Sequence, residues 1–190
     1  DCMQPASSRN TALFIAILAG FLTPFDLSAV NIALPTLARE FSMDAIQMGW
    51  VSTSYLLASA VFLVPFGRIA DIYGRKRVFA TGLSIFTLAS FLMILAPSAL
   101  AVILLRVLQG FGSAMIFGTA VAILTSVTPP EQRGKALGIY TTSVYLGLSM
   151  GPFLGGILTS LFGWRSIFAV NVPLGLFTVA VILLFLKGEW

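Results

Sequence analysis

Histidine is absent from this chain, cysteine occurs once, and charged residues make up only 9% of its 190 residues. Without histidine there is neither a Ser-His-Asp type triad nor an H-E-x-x-H zinc site. The single cysteine, Cys2, lies in the polar leading stretch DCMQPASSRN, far from any base the sequence reveals, and it excludes a disulfide within one chain. Paired-carboxylate chemistry requires two acidic side chains in one environment. Asp26 is the only acidic residue well inside an apolar run. An enzyme is not expected, and neither is a cofactor or a bound metal.

What is abundant is apolar surface. Hydrophobic residues account for 58% of the chain, and the mean hydropathy is +0.98. A membrane-spanning helix needs roughly 20 mostly apolar residues. The chain divides into six such stretches, expected as helices at about 11–37, 48–68, 78–96, 99–126, 136–160 and 166–186. Runs such as VFATGLSIFTLASFLMILA are apolar all round, whereas a membrane β-barrel would alternate apolar and polar residues. The expected fold is an all-α, six-helix membrane domain covering residues 1–190, with no separate soluble domain, no low-complexity segment and no signal peptide.

Orientation follows from lysine and arginine placement. Arg9, Arg68, Arg75, Lys76, Arg77, Arg133, Lys135 and Lys187 fall at one set of helix ends, and only Arg39 and Arg165 at the other. Both termini are therefore expected on the cytoplasmic side. The pI of about 9.6 reflects this topology, and no nucleic-acid partner is expected. Trp50, Trp164 and Trp190 sit at expected helix ends, where indoles commonly anchor a helix at the headgroup level.

An internal similarity joins the two halves of the chain. GRIADIYGRKRVFA (67–80) aligns with GILTSLFGWRSIFA (156–169), with Gly67/Gly156, Gly74/Gly163, Phe79/Phe168 and Ala80/Ala169 identical. Helix 2 to helix 3 thus matches helix 5 to helix 6. Units of three helices, about 11–96 and 99–186, enter the membrane from opposite faces, which makes an inverted repeat of the kind found in secondary transporters.

Several segments resemble one family. GRIADIYGRKR (Gly67, Asp71, Gly74, Arg75, Lys76, Arg77) is similar to the G-x-x-x-D-x-x-G-[RK]-[RK]-[RK] signature of the major facilitator superfamily. RVLQGFG, with Arg106, Gln109 and Gly110, resembles its R-x-x-Q-G-x-G motif. GLSMGPFLGG, with Gly147, Gly151, Pro152, Gly155 and Gly156, resembles the G-x-x-x-G-P-x-x-G-G motif of its exporters. FDLSAVNIALPTL and WRSIFAVNVPLG resemble helices 1 and 6 of its multidrug/proton antiporters, particularly the fourteen-helix branch. Together these cover residues 25–175. The resemblance implies a secondary transporter exporting small lipophilic or cationic compounds against protons, in a prokaryotic inner membrane. The family builds its transporters from two six-helix halves, and this chain matches the amino-terminal one.

The chain is therefore expected to work either as a parallel homodimer of half-transporters or as the amino-terminal half of a longer protein. The homodimer is preferred because a lone half would expose its polar face, Asp26 included, to lipid. An uncoupled facilitator and a non-transporting membrane scaffold are the alternatives.

Physical readings accompany each motif. Gly67 and Gly74 are expected to bracket a tight turn, and Arg75, Lys76 and Arg77 suit an anionic inner leaflet. Asp71 gains nothing from such a surface, and the resemblance places it in a cytoplasmic gate. Ser143, Gly147, Gly151, Gly155 and Thr159 recur at every fourth position of helix 5, a small-residue stripe that either packs the bundle or slides against the other half. Pro152 is expected to bend that helix.

Asp26 poses the sharpest question, since a central aspartate costs an insertion penalty of about 2.5–3.5 kcal/mol and such residues face a bundle interior or a cavity. Counted at about 1.5 Å per residue from the outer ends, it lies about 16 Å deep and Arg106 about 10 Å deep, within reach of a long side chain. Gln109, Gly110 and Ser113 share a helical face with Arg106. The pair is either a permanent structural ion pair or a proton site, because desolvation and a nearby guanidinium act on a carboxylate in opposite directions. Asn31, Tyr55, Tyr145 and Asn171 are further candidates for a cavity lining, alongside the bland reading that each bonds a neighbouring helix.

Overall fold

The structure, a computed structural model, describes residues 6–185, with side chains from residue 10; Cys2, Lys187, Trp190 and the side chain of Arg9 lie outside the described residues. Six helices follow one another: α1 (Ala6–Phe41), α2 (Ala45–Tyr73), α3 (Arg75–Ile94), α4 (Ala99–Val127), α5 (Arg133–Phe162) and α6 (Arg165–Phe185), with one 3-10 turn at Pro130–Gln132. Each is long and apolar enough to cross a membrane, and no strand occurs among the described residues. The sequence expectation therefore holds for number and order. The helices run past the apolar limits, to Phe41 in α1 and Tyr73 in α2, because backbone hydrogen bonding continues through charged residues such as Arg39, Glu40, Arg68 and Asp71.

Local chemistry sets the ends. Asp44 opens α2 with a capping box, accepting from the Gln47 amide at 2.7 Å while the Gln47 side chain accepts from the Asp44 amide. Ser98 caps α4 through the Ala101 amide. Between α2 and α3 the break is a single residue, Gly74, at φ 99°. Gly163, at φ 81°, opens the two-residue break between α5 and α6. Each donates its amide to the carbonyl four residues back, Gly74 to Ala70 at 3.0 Å and Gly163 to Thr159 at 3.1 Å. These two glycines are the pair that the internal similarity aligns, and only glycine adopts such φ values without strain. Gly67, expected in this turn, lies instead inside α2, where a Cβ would meet open space; it is Gly118 of α4 whose missing side chain faces the Leu63 carbonyl and the Gly67 backbone.

α1 and α4 occupy the centre. α1 packs on α5, α6 and α4; α4 packs on α2, α3 and α1; and α3 closes against α6. α2 and α5 are the most exposed, with 22% and 17% of their apolar windows buried against 61% for α1. One apolar cluster fills the end that carries both termini, around Phe79, Leu83, Phe86 and Ile116. A second fills the opposite end, around Leu37, Met93, Trp164 and Phe168.

The small-residue stripe of α5 is spent on α1. A Cβ on Gly147 would overlap the Phe21 carbonyl, one on Gly151 would overlap Ser28, and one on Gly155 would overlap Ala29. Ser28 Oγ also donates to the Gly147 carbonyl at 3.4 Å. The reading of this stripe as a face free to slide on another half is corrected: Ser143, Gly147, Gly151 and Gly155 are buried within this unit, whereas Pro152 points outward. In lipid, where apolar burial drives little, such close backbone approach is what holds helices together.

Gly155→Ala is expected to destabilise the purified protein by about 1–3 kcal/mol, the range for overpacking. Gly163→Ala should cost a similar amount, about 1–3 kcal/mol, through backbone strain. Gly134→Ala, with open space around its Cβ position, should leave thermal unfolding in detergent within experimental error of the parent.

Candidate functional site

Asp26, midway along α1, is fully buried, and so is Arg106 on α4. Arg106 Nη1 lies 2.5 Å from Asp26 Oδ2. The same nitrogen donates to Gln109 Oε1 at 2.9 Å, and Arg106 Nε donates to the Val51 carbonyl of α2 at 3.1 Å. The ring of Tyr55 stacks on the guanidinium, with Cζ 4.3 Å from the ring centroid. Asp26 Oδ1 accepts from Asn171 Nδ2 of α6 at 2.6 Å. Gln109 Nε2 donates to Ser90 Oγ of α3 at 2.9 Å, and the Tyr55 hydroxyl donates to Ser113 Oγ at 2.8 Å. Five helices thus meet around one carboxylate.

The helical repeat explains the convergence. Arg106, Gln109, Gly110 and Ser113 fall on one face of α4. Gly110 removes the Cβ that would strike the Tyr55 carbonyl, so α2 comes close enough for its Val51 carbonyl and Tyr55 ring to reach Arg106. A buried ion pair is stable only when the remaining donors and acceptors are also satisfied. Most are, but Arg106 Nη2 and Asn171 Oδ1 are buried without a partner.

This arrangement has a chemical consequence. Arg106 is held by three groups besides the carboxylate: the Val51 carbonyl, Gln109 Oε1 and the Tyr55 ring. If Asp26 takes a proton, the guanidinium loses its counter-charge but keeps neutral acceptors for its N–H groups.

The sequence candidates divide into two groups. Asp26, Arg106, Gln109, Gly110, Ser113, Tyr55 and Asn171 come together. Asn31 and Tyr145 do not: Asn31 is exposed and accepts from Ser52 Oγ at 2.5 Å, and Tyr145 is 64% exposed on α5. At the end that carries the termini, Asp71 pairs with Arg75 at 2.9 Å, one turn apart across the Gly74 break. Arg75 Nη1 also donates to the Ala122 carbonyl of α4 at 3.4 Å, so this motif ties α2 and α3 to α4. Lys76 is partly buried and Arg77 exposed.

Two expectations are corrected. Asp26 is not exposed by a lone unit, since its partners all belong to this unit, and the lipid-exposure argument for a homodimer does not hold. Trp164 is no interfacial anchor: it is 1% exposed, and its indole Nε1 donates to Glu40 Oε2 at 2.6 Å. Trp50, at 45% exposure, is placed as an anchor would be.

Two groups escaped the sequence. Ser90 is one of four hydroxyl residues on α3, with Thr81, Ser84 and Thr87, and nothing nearby in sequence sets it apart from them. Glu40 pairs with Arg165 at 2.6 Å, and Arg165 also donates to the Ile94 and Ala96 carbonyls at 3.0 and 3.3 Å, tying α1, α3 and α6 at the end opposite the termini. No three His, Cys, Asp or Glu side chains cluster as a metal site among the described residues.

Removing one partner of a buried pair strands the other. Arg106→Ala is expected to cost about 3–5 kcal/mol, measured by unfolding in detergent. The double variant Asp26→Asn/Arg106→Gln should recover most of that loss, because it leaves no buried charge.

Comparisons with known proteins bear on the family and the fold. The family model described as Major Facilitator Superfamily matches residues 16–189. The chain is 35% identical to the riboflavin transporter RibZ of Clostridioides difficile, covering 88% of the chain and 37% of that protein. It is 39% identical to the multidrug resistance protein Stp of Mycobacterium tuberculosis, over 88% of the chain and 32% of the relative. It is 41% identical to the cephamycin export protein CmcT of Amycolatopsis lactamdurans, over 90% and 35%. The chain thus spans about a third of the length of these curated relatives. Among solved structures, a bacterial homologue of the human lysosomal transporter Spinster, in an inward-facing and occupied conformation, superposes with a TM-score of 0.85 at 22% identity, covering 98% of the chain and 46% of that protein. Six membrane-length helices, the match to the family model and these relatives lead to one conclusion: the chain belongs to the Major Facilitator Superfamily.

Proposed function

We propose that this chain forms one six-helix unit of a proton-coupled antiporter that exports small lipophilic or cationic compounds by alternating access. Asp26 carries the proton and Arg106 responds to its charge. The observation that carries this reading is the fully buried pair with neutral acceptors ready on the arginine side. A permanent structural pair would use the same acceptors to satisfy the guanidinium, so the response of transport to pH is what separates the two readings. Export is supported by the relatives named for multidrug resistance and cephamycin export.

Around this pair, the two three-helix units (11–96 and 99–186) act as an inverted repeat, a reading supported by the matched φ values of Gly74 and Gly163. The Asp71, Arg75, Lys76 and Arg77 motif, with Gly67 and Gly74, serves the gate at the cytoplasmic end. The termini lie in the cytoplasm and the unit sits in a prokaryotic inner membrane. The exposed apolar faces of α2 and α5 meet a second six-helix unit, supplied by a parallel second copy or by a further stretch of a longer protein. Asn31 and Tyr145, exposed on α1 and α5, line the cavity between the two units.

Two experiments test the reading. In cells or proteoliposomes under an imposed pH gradient, efflux of a lipophilic cation should follow the gradient in the parent and lose that dependence in Asp26→Asn. Gradient-driven efflux at the parental rate in Asp26→Asn would sink the mechanism, and a flux indifferent to the gradient in the parent would mean an uncoupled facilitator. Retained partner binding without any flux would mean a scaffold. Native mass spectrometry of the purified chain decides the assembly: a dimer means that a second copy supplies the other unit, and a monomer means that a separate six-helix unit must.

A further inference from the structure

The orientation of Gln109 is decided by a residue outside every motif of the sequence. Ser90 on α3 is fully buried. Its hydroxyl proton is committed to the Phe86 carbonyl, at 2.8 Å, in the preceding turn of the same helix. Only oxygen lone pairs therefore remain toward Gln109, and an amide can answer those only with its NH2 group. Gln109 Nε2 does so at 2.9 Å. With that end fixed, the amide carbonyl has one direction left, toward Arg106 Nη1 at 2.9 Å. Reversed, Gln109 would place its NH2 against the guanidinium, donor facing donor, and its carbonyl against the Ser90 oxygen.

We infer that Ser90 is a positioning residue for the proton site: by fixing the Gln109 amide it supplies the neutral acceptor that shares Arg106 Nη1 with Asp26. This rests on the reading of Asp26 as the proton carrier. Arg106 Nη1 divides its two hydrogens between Asp26 Oδ2 and Gln109 Oε1, so the strength of one contact depends on the other being held in place. Ser90 touches neither charged group, and its effect passes wholly through Gln109. Its removal leaves the amide free to turn and changes how firmly the guanidinium holds the carboxylate.

The groups facing Asp26 are few. Among the described residues, α4 supplies Arg106 as the charged partner, α2 supplies Tyr55 through the guanidinium, and α6 supplies neutral Asn171. α3 reaches the site through Ser90 and Gln109, and α5 presents glycines to the neighbouring turns of α1. Among the described residues, no second carboxylate is in contact with Asp26 to confuse the titration.

The test is a pH titration of the protonated carboxyl stretch by infrared difference spectroscopy, on the purified six-helix chain in lipid nanodiscs. Asp26→Asn assigns the band. In Ser90→Ala its midpoint is expected to move by about half to one pH unit, the displacement that one hydrogen bond's worth of free energy produces. Ser90→Thr, which keeps the hydroxyl, should return it toward the parent. Circular dichroism and melting of each variant confirm folding. A Ser90→Ala titration that superimposes on the parent, with the band still lost in Asp26→Asn, overturns the role of Ser90 and leaves Asp26 as proton carrier. A spectrum in which no band depends on Asp26 between pH 4 and 9 overturns both.

Discussion

A charged carboxylate cannot remain alone in the interior of a membrane bundle, and much of this structure answers that constraint. The desolvation penalty of an ion in low-dielectric surroundings amounts to several kcal/mol even after relaxation, and it is offset only by close, well-hydrogen-bonded partners. Asp26 obtains them from helices distant in sequence: Arg106 on α4 and Asn171 on α6. Arg106 in turn draws on α2 and, through Gln109, on α3. The pair therefore fixes the rotation of several helices about their axes. In a membrane, where lipid tails are as apolar as leucine, few other forces can do so.

The glycines make these contacts possible. Gly110 brings α2 against α4 beside Arg106, and Gly147, Gly151 and Gly155 bring α5 against α1 beside and beyond Asp26. Close approach of backbones and convergence of polar side chains are thus two aspects of one design. The outward faces of α2 and α5 remain large and apolar, whereas the polar centre is sealed inside the unit. The buried polar pair thus belongs wholly to one six-helix body, and the surface of that body is apolar.

The two ends of the bundle are tied in related ways. At the end bearing the termini, Arg75 links Asp71 to the Ala122 carbonyl; at the other, Arg165 links Glu40 to the Ile94 and Ala96 carbonyls. Each arginine follows a one- or two-residue break opened by a glycine at positive φ. Exposed pairs of this kind contribute little to stability, about 0–1 kcal/mol, and what they supply is a tie between helices: α2 and α3 to α4 at one end, α1 and α6 to α3 at the other.

Sequence alone determined the six helices, their order, and the need of Asp26 for a partner. A run of about 20 apolar residues has no stable conformation in lipid other than a helix, and a buried carboxylate has a cost that must be met. The motif around Arg106 made that partner legible, because four small or polar residues at helical spacing mark one face. Tertiary structure decided the rest. Asn171 rather than Asn31 reaches Asp26, Tyr55 rather than Tyr145 stacks at the site, Ser90 orients Gln109, and Trp164 is buried against Glu40. The reason is physical: helices that are apolar all round carry no amphipathic signal to say which face turns inward. That choice is made by close packing and by polar partners up to 145 residues apart in the chain.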